Sequence, residues 1–178
     1  VGQLISVEHL ERSRQSVCYV VPTRSLGREV RRAIADRLRM LNREARPEPP
    51  DFPSLDDLLD SLGAQEEPDV EVMTPERLAH LLRHDALGVL ERFGLFIFDE
   101  AQLIKESGRG FILESTISLL DTLTKQTSHK IVLISAAMGN AGAIAQWLSP
   151  DGESLRYESK WRGPRRLHAV FTTAAHWP

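Results

Sequence analysis

The chain has 178 residues, 42% of them hydrophobic and 26% charged, an ordinary globular composition with enough length for about one domain and a sizeable core. A formal net charge of −3 excludes a general electrostatic attraction to nucleic acid or anionic membrane, so any such site must come from local clustering. The single cysteine, Cys18, excludes an intrachain disulfide, and no run approaches the roughly 18 apolar residues of a membrane span.

Cys18 lies in an apolar run and reads as a buried thiol, which suggests a reducing, cytoplasmic setting. The start, Val1-Gly2-Gln3-Leu4-Ile5, lacks the basic region and long apolar stretch of a signal peptide, and the missing initiator Met suggests a fragment or processed product. Leu4, Ile5, Val7 and Leu10 carry helical spacing, so residues 3–14 read as a helix already under way. Val17-Cys18-Tyr19-Val20-Val21 reads as a buried strand, ended by Pro22-Thr23-Arg24 because Pro cannot continue a central ladder. A long helix from about Ser25 to Leu41 follows, with Leu26, Val30, Ile34, Leu38 and Leu41 on one face. The rest of its surface is rich in arginine and reads as a solvated face with i,i+4 pairs.

Residues 46–53 form a proline-rich loop, and Ser54-Leu55-Asp56-Asp57 opens a short helix over Leu55–Leu62 with a capping box. Residues 51–71 hold eight acidic side chains and no Lys or Arg, opposing the basic helix before them. Val70-Glu71-Val72-Met73 is a short strand. Thr74 is placed to cap the next helix, from Pro75 to about Arg83, and Pro at its first position has a preset φ and no N–H to leave unpaired. The free amides of that helix start are a ready phosphate seat; the same cap can equally serve the helix alone.

Leu95-Phe96-Ile97-Phe98 then runs into Asp99-Glu100-Ala101-Gln102. Four large apolar residues in succession read as a strand buried on both faces. Two carboxylates cannot sit unpaired inside such a run, so they belong just beyond its C-terminal end. In open α/β sheets ligands bind there, and paired carboxylates suit a hard divalent cation and an activated water. The alternative is a strand that ends in a solvated turn. A helix over Gly110–Leu123 follows, with Ile112, Leu113, Ile117, Leu120 and Leu123 inward. Ile131–Ile134 reads as another strand buried on both faces, ending at Ser135-Ala136-Ala137. Asn140 is placed to cap a helix over Ala141–Leu148, in which Trp147 is expected in the core. Arg156–Trp161 and Arg165–Thr172 read as extended segments split by Gly163-Pro164.

The alternation of helix and strand predicts an α/β fold, a parallel sheet sandwiched by helices. Right-handed crossovers would bring every strand's C-terminal end to one edge. Pro22-Thr23-Arg24, Thr74-Pro75-Glu76-Arg77, Asp99-Glu100-Ala101-Gln102 and Ser135-Ala136-Ala137 would then share that edge.

In this order the four segments resemble motifs Ia, Ib, II and III of the superfamily-two DEAD/DEAH-type helicases. The chain is similar to their first RecA-like motor domain, a P-loop NTPase type of fold, over about residues 1–172. Arg109-Gly110, Glu114 and Trp161-Arg162-x-Pro164 resemble the Ski-type branch. The resemblance implies ATP and Mg²⁺ as cofactors. Asp99 would hold the metal on the phosphates, and Glu100 would orient or deprotonate the attacking water. Positioning and charge neutralisation carry most phosphoryl-transfer catalysis. Gln102 and Ser135 would link the nucleotide to a second RecA-like domain. Pro22, Thr23, Arg24, Thr74, Pro75 and Arg77 would grip the backbone of a single nucleic-acid strand, which positions without reading sequence.

The sequence also departs from the family. It contains no Gly-x-x-x-x-Gly-Lys-Ser/Thr loop, and none of Lys105, Lys125, Lys130 and Lys160 follows a glycine. The family places that loop just upstream of the first helix, so the expected division is a motor domain over 1–155 lacking its P-loop, and an exit segment over 156–178. By itself such a chain would neither bind ATP tightly nor hydrolyse it, and Asp99 and Glu100 would be an exposed, idle pair. Ala137 replaces the usual Thr of motif III. Two other readings stand beside a helicase or translocase fragment: a degenerate RecA-like module that binds nucleic acid or protein, and an unrelated nucleotide-binding α/β domain.

Overall fold

Strand β1 (Ser16–Val20) is buried at all five positions, which requires neighbours on both edges and cover on both faces. The computed structural model, which describes residues 1–13, 15–40, 69–136 and 139–149, supplies both. In chain order its elements are α1 (Gly2–Arg12), β1, α2 (Arg24–Met40), β2 (Val70–Met73), α3 (Pro75–His84), α4 (Ala86–Arg92), β3 (Phe93–Phe98), a 3-10 turn (Ala101–Lys105), α5 (Arg109–Thr124), β4 (Lys130–Leu133) and α6 (Ala141–Leu148). All four described strands are parallel, in the order β2-β1-β3-β4.

Alternate strand residues face opposite sides. Val17, Tyr19, Val21, Val70, Val72, Leu95 and Ile97 form one cluster with Leu10 of α1 and Val30, Ile34 and Leu38 of α2. The opposite set, Cys18, Val20, Phe96 and Phe98, is equally buried. Helices α3 and α5 contact each other and bring buried Leu78, Leu81, Leu82, Leu113, Ile117 and Leu120 to that second layer. The expected helix-covered parallel sheet is therefore what forms.

Register fixes where the strands end. Met73, Val20, Phe98 and Leu133 are aligned across the sheet, and each is the last residue of its strand. The turns that follow them share one edge, as the chain order predicts.

Several expectations change in detail. The strand before Asp99 starts at Phe93 rather than Leu95, directly after α4, a helix that hydrophobic periodicity does not reveal. Asp85 starts α4 by accepting from the Gly88 amide at 2.9 Å. Strand β4 was expected to be buried on both faces, but Ile131, Val132 and Leu133 are only half-buried. Among the described strands β4 has a neighbour on one side only, and an apolar run does not report how many neighbours a strand has. Thr74 occupies the N-cap of α3 without a side-chain cap bond. Pro75 has no N–H to offer, and the Arg77 amide is taken by the Thr74 carbonyl at 3.1 Å. The capping box at Ser54, the helix over Leu55–Leu62, Ala137 and the segments beyond Arg156 lie outside the described residues.

The chain divides into two compact units, Val1–Gly139, which holds the sheet, and Asn140–Pro178. In the second, α6 has the expected bounds, Asn140 makes no side-chain cap bond and no residue of the helix is buried. Trp147, expected in the core, is 42% exposed.

Candidate functional site

The end of β3 is held to both neighbouring strands. The Asp99 amide donates to the Val20 carbonyl of β1 at 2.9 Å, and the Ala101 amide donates to the Ile134 carbonyl, just past β4, at 2.8 Å. Glu100 sits between these two anchors with φ 56° and ψ 39°, the one non-glycine residue at positive φ among the described residues. That left-handed conformation costs roughly 1–3 kcal/mol for a residue with a Cβ, and persists only where the surroundings impose it. Here the anchors on β1 and past β4 impose it.

Both carboxylates are half-buried and hydrogen-bonded, which corrects the expected exposure of the pair. Asp99 Oδ1 accepts from the Glu100 amide at 2.9 Å, and Oδ2 accepts from the Tyr19 hydroxyl at 2.9 Å. Glu100 Oε2 accepts from Gln102 Nε2. Gln102 Oε1 in turn accepts from Ser135 Oγ at 2.8 Å. A continuous line therefore runs from the end of β4 through Gln102 to Glu100.

Helix α1 reaches the same place. A methyl group built on Gly2 would lie 2.4 Å from the Tyr19 hydroxyl and 2.7 Å from Ile134 Cδ1, so any side chain there would displace one or both. The first turn of α1 carries no acidic side chain and no side-chain cap. A helix N-terminus of this kind attracts anions, and this one abuts the residue that holds Asp99.

The expected strand-binding residues lie on two adjacent turns. Val21 donates its amide to the Met73 carbonyl at 2.9 Å, which sets the turn after β1 beside the turn after β2. Pro22 is half-buried, and Thr23 and Arg24 are exposed. Thr23 Oγ1 accepts from the Leu26 amide at 3.3 Å and so caps α2, a role the sequence reading did not assign. Thr74 and Arg77 are half-buried and Pro75 is buried. Two helix starts, α2 and α3, thus open at the same edge, while Asp99, Glu100, Gln102 and Ser135 gather one and two strands further along it. The arginine face of α2 is partly structural: Arg31 donates to the Val72 carbonyl of β2 at 3.0 Å, and Arg39 pairs with Asp36 at 2.8 Å.

The donor set can be compared with what a metal needs. Among the described residues no group of three or more His, Cys, Asp or Glu is close enough to hold an ion. Mg²⁺ is commonly held by one or two carboxylates plus waters and substrate phosphates. Asp99 fits that mode, because each of its oxygens accepts one hydrogen bond and keeps a lone pair.

Residues 1–144 match the family model described as DEAD/DEAH box helicase. The chain belongs to this family. Among curated relatives it is 32% identical over 131 residues to the ATP-dependent DNA helicase Hel308 of Thermoplasma volcanium, an alignment covering 74% of this chain and 18% of that protein. To Hel308 of Pyrobaculum calidifontis it is 40% identical over 96 residues, 53% of this chain and 12% of the relative. The chain thus spans less than a fifth of the length of these relatives. Among solved structures it is similar to the Mycobacterium smegmatis helicase Lhr bound to ssDNA and AMP-PNP, with TM-score 0.58, 24% identity and coverage of 82% of this chain and 20% of that one. It is also similar to the yeast DEAD-box splicing factor Prp28, with TM-score 0.59, 16% identity and coverage of 82% and 36%. At these identities the structural matches speak for the fold, that of RecA-like helicase domains. The residues matched include Asp99-Glu100-Ala101-Gln102.

Sequence reasoning missed two contributors. Tyr19 carried a signal: a tyrosine inside a buried apolar strand needs a partner for its hydroxyl. Gly2 carried none, because its close approach to Tyr19 depends on how α1 packs on the sheet.

Proposed function

We propose that this chain supplies the metal-and-water half of an ATP hydrolysis site in a nucleic-acid-dependent helicase or translocase. The observation that carries the reading is the hydrogen-bonded line from Ser135 through Gln102 to Glu100, because it joins two segments that the family uses together. In the proposed mechanism Asp99 would hold Mg²⁺, which would supply charge neutralisation for the nucleotide phosphates. Glu100 keeps one carboxylate oxygen clear of Gln102 and accepts a proton from, or orients, the attacking water. Gln102 and Ser135 fix the direction of that carboxylate and carry its state toward a second RecA-like domain.

In this proposal Thr23 and Arg24, with Pro22, Thr74, Pro75 and Arg77 on the two turns, hold the phosphates of a single strand. The Hel308 relatives are named DNA helicases, and single-stranded DNA is the strand we propose. Further proposals are a phosphate loop preceding α1, an exit segment over 156–178, and membership of the Ski-type branch. Gly110 supports the branch assignment: a methyl there would lie 2.4 Å from the Ile104 carbonyl oxygen, so the Arg109-Gly110 pair is built into the packing. A cytoplasmic location is part of the same reading.

The test is the nucleic-acid-stimulated ATPase of the full-length protein. Glu100→Gln is expected to lower turnover by about 100-fold or more, the scale of removing a general base. Wild-type turnover in that variant overturns the reading and favours a binding module without hydrolysis.

A further inference from the structure

We propose that Tyr19 is a positioning residue for the Mg²⁺-holding carboxylate, its hydroxyl fixing Asp99 Oδ2 so that the free lone pairs of Asp99 face the metal. The inference rests on the nucleotide-site reading above and extends it to a residue outside the four motifs.

Three observations support it. The Tyr19 hydroxyl lies 2.9 Å from Asp99 Oδ2, across 80 residues of sequence. The ring is 3% exposed, held in β1 between β2 and β3, so its position is set by the sheet rather than by solvent. Gly2 leaves room for the hydroxyl, because a Cβ there would sit 2.4 Å from it. The phenolic hydroxyl is a donor, and the Asp99 carboxylate is an acceptor.

The geometry defines the task. Asp99 Oδ1 is engaged by the amide of the next residue and Oδ2 by Tyr19. With one hydrogen bond on each oxygen, the carboxylate cannot rotate about its Cβ–Cγ bond without losing both. Outer partners of metal ligands commonly set affinity by about 10- to 100-fold. Tyr19 is the partner contributed by another strand, so it also ties the position of the carboxylate to β1, which leads into the Pro22–Arg24 turn.

The experiment uses the full-length protein, a fluorescent ATP analogue and a MgCl2 titration, with wild type, Tyr19→Phe and Asp99→Asn side by side. Mn²⁺ uptake, followed by its own paramagnetic signal, is a second readout that needs no turnover. Tyr19→Phe keeps the buried ring and removes only the hydroxyl. The expected result is a half-saturating Mg²⁺ concentration about 10-fold higher, with unchanged affinity for metal-free nucleotide in EDTA. The proposal is overturned if Tyr19→Phe titrates like wild type while Asp99→Asn does not. It is equally overturned if metal-free and metal-bound affinities fall together, which is the mark of a purely structural role. An Asp99→Asn protein with a wild-type Mg²⁺ titration sinks the underlying site reading and this proposal with it.

Discussion

Arg92 and Glu71 form an ion pair that joins α4 to the outer strand β2, and its removal has a predictable cost. Arg92 donates through both Nε and Nη2 to Glu71 Oε1. The two side chains are 7% and 15% exposed, so solvent screens little of the interaction. The Arg92 guanidinium also lies 5.8 Å from the centroid of the Phe93 ring. Beside Glu71 in the sheet is Cys18, whose thiol is pushed well above its ordinary pKa by burial and then by the Glu71 charge. Arg92→Met removes the cation that donates to Glu71 Oε1. Deleting one partner of a buried pair costs about 3–5 kcal/mol, whereas replacing both with apolar groups is often neutral or stabilising. Urea unfolding of Arg92→Met, Glu71→Leu and the double variant should therefore show two large single losses and a double loss well below their sum. A loss under about 1 kcal/mol for Arg92→Met, the range of a solvated surface pair, would refute the reasoning. Because β2 leads into the Thr74 turn, the single variants should also weaken single-strand binding.

Two further predictions follow from charge. The His9 pKa is lowered, chiefly by burial and then by Lys130, against a smaller raising contribution from a backbone hydrogen bond at Gln15. The unfolded state then binds more protons over the window just below 6.5, so this contribution is complete above that pH and is lost as pH falls through the lower folded value. Thermal unfolding should show stability falling on acidification, with a smaller fall in His9→Gln. Single-strand affinity should drop steeply with salt, and Arg24→Ala should reduce the slope of log K against log salt by about 0.7, the single-strand value per phosphate contact; an unchanged slope would remove Arg24 from the interface.

Much of the fold was legible because its signals are local. Four apolar residues followed by two acids place the end of β3 without ambiguity, and Thr74-Pro75 marks the first residue of α3, because Pro is favoured only at that end of a helix. The shared edge was legible from alternation alone. What the sequence withheld depends on contacts between distant residues. The half-exposure of β4 follows from its place in the sheet. The left-handed Glu100 follows from anchors on β1 and past β4. The Tyr19–Asp99 bond needs a register between β1 and β3 that no periodicity contains. Helix α4 was hidden by its length, seven residues with a glycine at its third position. The candidate site was therefore found by its carboxylates, Gln102 and Ser135, while Tyr19, which holds Asp99, was found only in the structure.

The role proposed for Glu100 is to act on water after ATP is bound. Single-turnover hydrolysis in the full-length protein separates the two steps. Glu100→Gln should bind ATP and Mg²⁺ with wild-type affinity, retain the nucleotide, and release phosphate at about 1% of the wild-type rate or less in the presence of single-stranded DNA. Phosphate release at the wild-type rate from that variant would contradict the account.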